Sequence, residues 1–163
     1  MRVSEAFRLR QVPYVHPDVA SLEAATQQFY IQIYGGPDDT PHTTADFSPP
    51  HGAFFVGYLN GDAVAMGGWR FRTPGVPRVA RRSAEIRRMF VRESVRGRGF
   101  GRLVLAALEA SAAAAGADWM LLETGSPQVA AIGLYRSNGY VDVERFGYYA
   151  ASEQALNLGR PLR

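Results

Sequence analysis

The chain contains no cysteine and no lysine. Without thiols it has no disulfide, no thiolate nucleophile and no thiolate metal site. Without lysine, all 18 basic residues are arginine, whose guanidinium stays charged and binds phosphate or carboxylate bidentately. Long apolar runs are missing too. No segment approaches the roughly 20 apolar residues that span a bilayer. The N-terminal stretch MRVSEAFRLRQVPYVHPDV has charge but no apolar h-region, which argues against a signal peptide. A cytoplasmic protein away from membranes is the simplest expectation.

What is present suits one domain over residues 1–163. The chain is 47% hydrophobic and 12% aromatic, enough for a core and too much for disorder. The net charge is +3, and much of the arginine falls in VPRVARRSAEIRRMFVRESVRGRGFGR, residues 76–102. Such a cluster predicts an anionic partner, either a phosphorylated small molecule or nucleic acid.

Residues 5–15 alternate enough to read as a strand. Leu22, Ala25, Phe29 and Ile33 fall at helical spacing, so residues 18–34 read as a helix capped by Asp18 or Ser21. A long Gly- and Pro-rich loop follows. Asn60-Gly61 between two apolar strands predicts a hairpin with a type I′ turn, and Gly67-Gly68 suggests a bulge in its second strand. After a loop over residues 72–83, AEIRRMFV reads as a strand with Ile86, Arg88 and Phe90 on one face and Glu85, Arg87, Met89 and Val91 on the other. Residues 102–115 read as a helix ended by Gly116, and 119–123 as a central strand. Ser126 and Pro127 read as N-cap and first residue of a third helix, stopped at Asn138-Gly139. YVDVERF and ALNLG read as closing strands. The order predicts an α/β or α+β domain with one parallel strand pair around a Gly-rich turn.

That turn is VRGRGFGRL, residues 95–103. It follows a core strand and precedes a core helix. Its glycines let backbone approach an anion, and the first helical N–H groups would converge there with the positive end of the dipole. No Gly-Lys-Ser/Thr is present, and Arg102 and Val104 stand where a dinucleotide loop needs glycine. What remains is Arg-x-x-Gly-x-Gly over Arg96, Gly97, Arg98, Gly99, Phe100 and Gly101.

Together with AEIRRMFV and ETGSPQVAAIGLYRSNGY, this turn resembles the GNAT family of N-acetyltransferases. The resemblance implies a GNAT-like fold: a single mixed central sheet of about seven strands flanked by helices, with splayed central parallel strands. It implies acetyl-CoA as cosubstrate, no metal, and transfer of acetyl to a primary amine of a small molecule or peptide by direct attack. The backbone of Met89, Phe90 and Val91 would contact pantetheine, and the backbone from Gly97 through Arg98 to Arg102 would hold the pyrophosphate, with Arg96 and Arg102 as nearby charge. Gln128 stands where many members have Asn and would bond pantetheine. Many members pair into dimers, so a homodimer is allowed.

An attacking amine titrates near ~10 and must lose a proton, and the departing thiolate gains from a donor. Glu85, 11 residues before Arg96, is the candidate base. His42 and His51 are rivals by titration range but lie in a Pro-rich loop. Tyr135 is the candidate acid, because a neutral phenol can protonate a thiolate. Tyr140 reads as packing. Tyr34, Asp38, Asp39, Trp69 and the FGYY stretch of residues 146–149 are acceptor-site candidates through charge and cation–π contact, and Arg78, Arg81 and Arg82 could meet an anionic acceptor or the coenzyme's 3′-phosphate. Two alternatives stand beside this reading. One is an acetyl-CoA-binding sensor without catalysis. The other is an Arg-rich nucleic-acid module, for which the chain offers no basic face interleaved with aromatics.

Overall fold

The computed structural model describes residues 6–72 and 76–162. Its elements run β1 (Phe7–Gln11), α1 (Pro17–Tyr34), a 3₁₀ turn (Thr44–Phe47), β2 (Gly52–Leu59), β3 (Asp62–Phe71) and β4 (Ser83–Val91). A second 3₁₀ turn (Glu93–Val95), α2 (Phe100–Ala114), β5 (Trp119–Gly125), α3 (Val129–Ser137), β6 (Val141–Asp142) and β7 (Ala155–Pro161) complete it. The seven strands form one mixed sheet in the order β1-β2-β3-β4-β5-β7-β6. β4 and β5 are parallel, and the other neighbours are antiparallel. This is the mixed sheet flanked by helices that the element order and the family resemblance imply. No helix among the described residues is long and apolar enough to cross a membrane. Glu5 of the expected first strand and residues 73–75 of the expected loop lie outside the described residues.

Local rules explain most boundaries. Asn60 and Gly61 both take positive φ (51° and 90°), as a type I′ turn requires. Helix α1 starts one residue earlier than expected: His16 caps it by accepting the Asp18 N–H at 3.1 Å, with Pro17 in the first turn. Helix α3 starts later than Ser126-Pro127 suggests, with Gln128 as its cap. Of YVDVERF only Val141–Asp142 pairs as a strand. α2 packs Val104, Leu105 and Leu108 on one sheet face with Trp69 and Ile86. α1 packs Val19 and Leu22 on the other with Phe54, Met66 and Phe90.

The bulge expected at Gly67-Gly68 lies instead across the ladder. Met66 faces Phe90 and Gly68 faces Arg87, so β4 carries one residue more than β3 over that interval. The extra residue is accommodated at Arg88, whose φ is 56°. Strict alternation is therefore broken. Ile86, Met89 and Val91 pack on the α2 side, Phe90 packs on the α1 side, and Arg87 and Arg88 both reach Asp38 in the loop after α1. The two glycines serve close packing. A Cβ at Gly67 would meet Val104 at 3.0 Å and Leu108 at 3.1 Å, and one at Gly68 would strike the Phe54 ring and approach Phe47 at 3.0 Å.

A pair of substitutions separates packing from backbone entropy. Gly68→Ala should destabilise by about 1–3 kcal/mol through overpacking. Gly133→Ala, in α3 where an added Cβ would meet nothing within 4 Å, should stabilise by about 0.4–1 kcal/mol. Urea unfolding midpoints moving in the same direction for both would refute the packing account.

Candidate active site

β4 and β5 hydrogen-bond only at their starts, over Ser83↔Trp119, Ala84↔Met120 and Glu85↔Leu121. Beyond Glu85 the strands part, as expected where a bulge bends and twists one of them. A cavity of about 320 Å³ opens between them. Residues 86–89 of β4 and 122–125 of β5 form its walls. Tyr30, Tyr34, Asp38 and Asp39 close it on the α1 side, Gln128 and Tyr135 on the α3 side, and Tyr149, Ser152 and Gln154 from the segment before β7.

Three carboxylates near this gap have different fates. Asp38 is fully engaged. One oxygen accepts the Thr40 N–H (2.9 Å), the Thr40 hydroxyl (2.6 Å) and the Tyr149 hydroxyl (3.0 Å). The other accepts Arg87 Nη2 at 3.0 Å and Arg88 Nη1. Burial opposes its ionisation, but Arg87, the Thr40 bonds and Arg88 outweigh that and hold its pKa down at about 2. Glu85 is 1% exposed and pairs with Arg70 Nε at 3.2 Å and Arg72 Nη1 at 3.4 Å, and Arg70 also pairs with Asp46 at 2.9 Å. Glu85 is not part of the cavity wall. Glu123 is. It accepts the Asn157 side-chain N–H and the Tyr149 backbone N–H, both at 3.3 Å. Burial pushes its pKa up, these bonds pull it down, and the Glu85 charge pushes it up further, leaving it raised.

Tyr135 is buried on the cavity wall with its hydroxyl 3.7 Å from Met89 Sδ, and burial raises its pKa, so the phenol stays protonated. Tyr30, also on the wall, is raised to about 12 by burial and then by Asp38. Gln128 Nε2 donates to the Tyr34 hydroxyl at 2.9 Å. That hydroxyl lies so close to Gly125 that a Cβ there would collide with it.

Past the open end of β4 lies the glycine turn. Gly97 and Gly99 take φ of 79° and 86°, and Gly99 is the N-cap of α2. The first helical N–H groups, from Phe100 to Arg102, have no intrahelical acceptor, and the first turn contains no acidic residue. Gly101 packs on Leu134, and the Phe100 ring stacks on Phe7 at 4.3 Å. The Arg96 Nε donates to the Val91 carbonyl at 2.9 Å and its guanidinium lies over Phe29 and Phe90. Arg98 lies over Phe100, and Arg102 reaches Asn138 at 3.4 Å.

The fold thus brings Tyr34, Asp38, Asp39, Met89, Gln128 and Tyr135 to one cavity and sets the 96–102 turn beyond it. Trp69 is elsewhere: it is 2% exposed and its indole N–H donates to Ser111, so it is a core residue under α2 rather than an acceptor contact. Asp38 lines the cavity, but its oxygens are taken by Arg87, Arg88, Thr40 and Tyr149, which leaves little of it for an amine. Phe90 and Val91 contribute no wall, and Phe90 packs against the α1-side core. His42 is held by the Tyr14 hydroxyl at 2.8 Å and His51 borders a separate hollow with Arg70. Arg81 and Arg82 bind Asp118 through their backbones, and Arg82 stacks on Phe71. The fold also brings Tyr149 of the FGYY stretch to the cavity, and Glu123, Tyr30 and Arg87 join it without being singled out by motif or spacing. The position of Glu123 at the carboxyl end of a parallel strand is the one sequence signal for it. No group of three or more His, Asp or Glu among the described residues could hold a metal ion.

Residues 19–140 match the model of the acetyltransferase (GNAT) family. An IAA acetyltransferase of Azospirillum brasilense is 37% identical over 109 residues, 67% of each chain. Among solved structures, a Klebsiella pneumoniae protein assigned to the acyl-CoA N-acyltransferases superposes with TM-score 0.79 at 24% identity, covering 96% of this chain and 98% of that one. A GNAT-family acetyltransferase of Staphylococcus aureus superposes with TM-score 0.75 at 16% identity, covering 97% and 100%.

The Asp38 cluster has a pH signature. A carboxylate whose pKa falls from 3.8 to about 2 on folding contributes stability present above pH 3.8 and lost as pH drops towards 2. With Asp38 mostly buried, that contribution is about 2 kcal/mol. Asp38→Asn should lower stability at pH 6 by about 3–5 kcal/mol, since it leaves two guanidiniums underpaired. It should also flatten the loss between pH 4 and 2. Unfolding curves of equal steepness with pH in both proteins would contradict this.

Proposed function

The chain belongs to the acetyltransferase (GNAT) family and is an acetyl-CoA-dependent N-acetyltransferase, and on that premise we propose a role for each part of the cavity. The observation that carries the proposal is the parting of β4 and β5 beyond Glu85↔Leu121, with a protonated phenol and a half-buried carboxylate on the walls. Backbone groups of β4 around Met89, Phe90 and Val91 pair with the pantetheine arm in the gap. The Val91 carbonyl has a second lone pair beyond the one Arg96 uses. Gln128 lies within reach of the same arm. The N–H groups from Gly97 to Arg102, at the positive end of α2, hold the pyrophosphate, with Arg96 and Arg102 adding charge at its edge.

Glu123 takes the proton of the acceptor amine, directly or through one water, as nitrogen attacks the thioester carbonyl. It fits this role better than Glu85, because it faces the cavity while Glu85 is sealed between Arg70 and Arg72. Glu85 acts on the reaction through its charge, which makes Glu123 more basic. When the carbon–sulfur bond breaks, the Tyr135 hydroxyl gives its proton to the leaving thiolate. The amide and free coenzyme A are the products.

Two measurements test this assignment. Glu123→Gln should reduce kcat about 10²–10⁴-fold at neutral pH and recover as pH rises towards the amine pKa. Tyr135→Phe should slow kcat while acetyl-CoA affinity stays within a few-fold. Because the raised pKa of Glu123 sets the acid limb of the rate profile, Glu85→Gln should move that limb to lower pH. If Glu85→Gln abolished turnover and Glu123→Gln did not, the base would be Glu85.

The phosphate turn has its own test. Gly99→Val forces a branched residue into φ of 86° and should weaken acetyl-CoA binding at least about 100-fold. Arg98→Ala should cost no more than a few-fold. Calorimetric titration giving the reverse order would assign binding to the arginine instead of the backbone.

A further inference from the structure

Arg87 is a guanidinium with more donors than the protein supplies acceptors. Its side chain is 7% exposed, yet it lines the active cavity. A guanidinium has five N–H groups. Among the described residues Arg87 spends one of them, Nη2, on Asp38 at 3.0 Å, and its Nε is buried without a partner. Even that one acceptor is shared, because the same Asp38 oxygen takes Arg88. Arg88 has a carboxylate of its own, with Glu23 at 2.9 Å, and Arg87 has none. Glu123, across the cavity, forms no ion pair with Arg87 among the described residues, although the two are near enough for the Arg87 charge to act on it. A cation short of acceptors and a carboxylate thus share one cavity without closing on each other. Leaving buried guanidinium donors unmade is costly, and a planar fork of N–H groups matches a carboxylate.

We propose that the acceptor amine carries a carboxylate, as an α-amino acid does, and that Arg87 binds this carboxylate while the amine faces Glu123. The inference rests on the acetyl-transfer roles given above and adds the substrate class. The zwitterion would fill the space between the two groups. Arg88 stays with Asp38 and Glu23 and keeps Arg87 from swinging away by holding their common partner. Arg87 then selects the substrate rather than performing the chemistry, so its loss should appear in KM more than in kcat.

The test uses matched acceptors and the release of free thiol from acetyl-CoA. Each of several L-amino acids is compared with its own amide and its own decarboxylated amine on the wild-type enzyme. The acid of at least one set should exceed both partners by about 100-fold or more in kcat/KM. Amine reactivity does not create that order: the amide's α-amine titrates lower, near ~8, and is the more deprotonated, while the decarboxylated amine, near ~10, is a stronger nucleophile once deprotonated. Arg87→Gln should erase the preference, raising KM for the acid about 100-fold with acetyl-CoA affinity within a few-fold. Arg87→Lys should restore part of it. Amides or plain amines acetylated as well as the acids would overturn the carboxylate assignment and leave acetyl transfer standing. Bound acetyl-CoA with no amine of any set acetylated would overturn both. If Arg87→Gln does not fold, the wild-type series decides alone.

Discussion

A strand with one residue too many opposite its neighbour cannot keep its side chains alternating. In β4 the surplus falls at Arg88, against Gly67, and its cost is a positive φ on a non-glycine residue. Two results follow from that one distortion. Consecutive arginines turn to the same face and meet one carboxylate, and the strand bends away from its parallel partner after three residue pairs. The first result builds the wall proposed to meet the acceptor. The second opens the gap proposed for the cosubstrate arm. Without the bulge, β4 and β5 would continue to pair, and a closed sheet would stand where the cavity is.

The charges gathered on the α1 side of the sheet serve chiefly to fix loops. Asp38 ties the segment after α1 to β4 through Arg87 and Arg88, and to the segment before β7 through Tyr149. Asp46 ties the first 3₁₀ turn to Arg70, and Arg70 continues to Glu85. Buried ion pairs of this kind add little net stability over apolar packing, but each becomes expensive once one partner is lost. Their effect here is to hold three irregular segments in register around one cavity. Glu123 stands at the edge of this network. It bonds to neutral N–H groups rather than to a guanidinium, and these do not outweigh its burial, so its proton affinity rises while that of Asp38 falls.

The parts of the fold legible in the sequence are those set by nearby residues. Asn60-Gly61 demands its turn, an Ala- and Leu-rich run demands α2, and glycines between a core strand and a helix demand a tight joint at positive φ. The proposed acceptor side is built differently. Trp69 and Asp38 are residue types that bind amines, but whether they are free to do so depends on Ser111, Arg87 and Arg88, which are distant in the chain. Gly67-Gly68 looks like a bulge because glycine is common in bulges, whereas its cause is the Phe54 ring and the α2 side chains pressing on β3. The true bulge does leave a trace. Arg87-Arg88 in the middle of a core strand would put one guanidinium into each packed face under strict alternation, and no apolar core tolerates that. Two adjacent charges in a buried strand are a reason to expect the alternation to break.

Placing the proposed base on β5 instead of β4 also makes electrostatic sense. The carboxylate on β4 is held between Arg70 and Arg72 and does not face the cavity, so an amine there could not reach it. Two carboxylates set on adjacent strands, one neutralised by arginine and one in a half-buried wall, divide the work. The paired one keeps a fixed negative charge in the sheet. That charge, with burial, raises the proton affinity of the unpaired one, which alone has access to the space where an amine would lie. Gly147 suits that wall for two reasons, since its φ of 89° favours glycine and a Cβ there would come within 2.8 Å of Glu123 Oε2, displacing the carboxylate that accepts the Tyr149 N–H. The placement of the acidic side chain therefore rests on the close backbone approach at residue 147 as well as on its own strand.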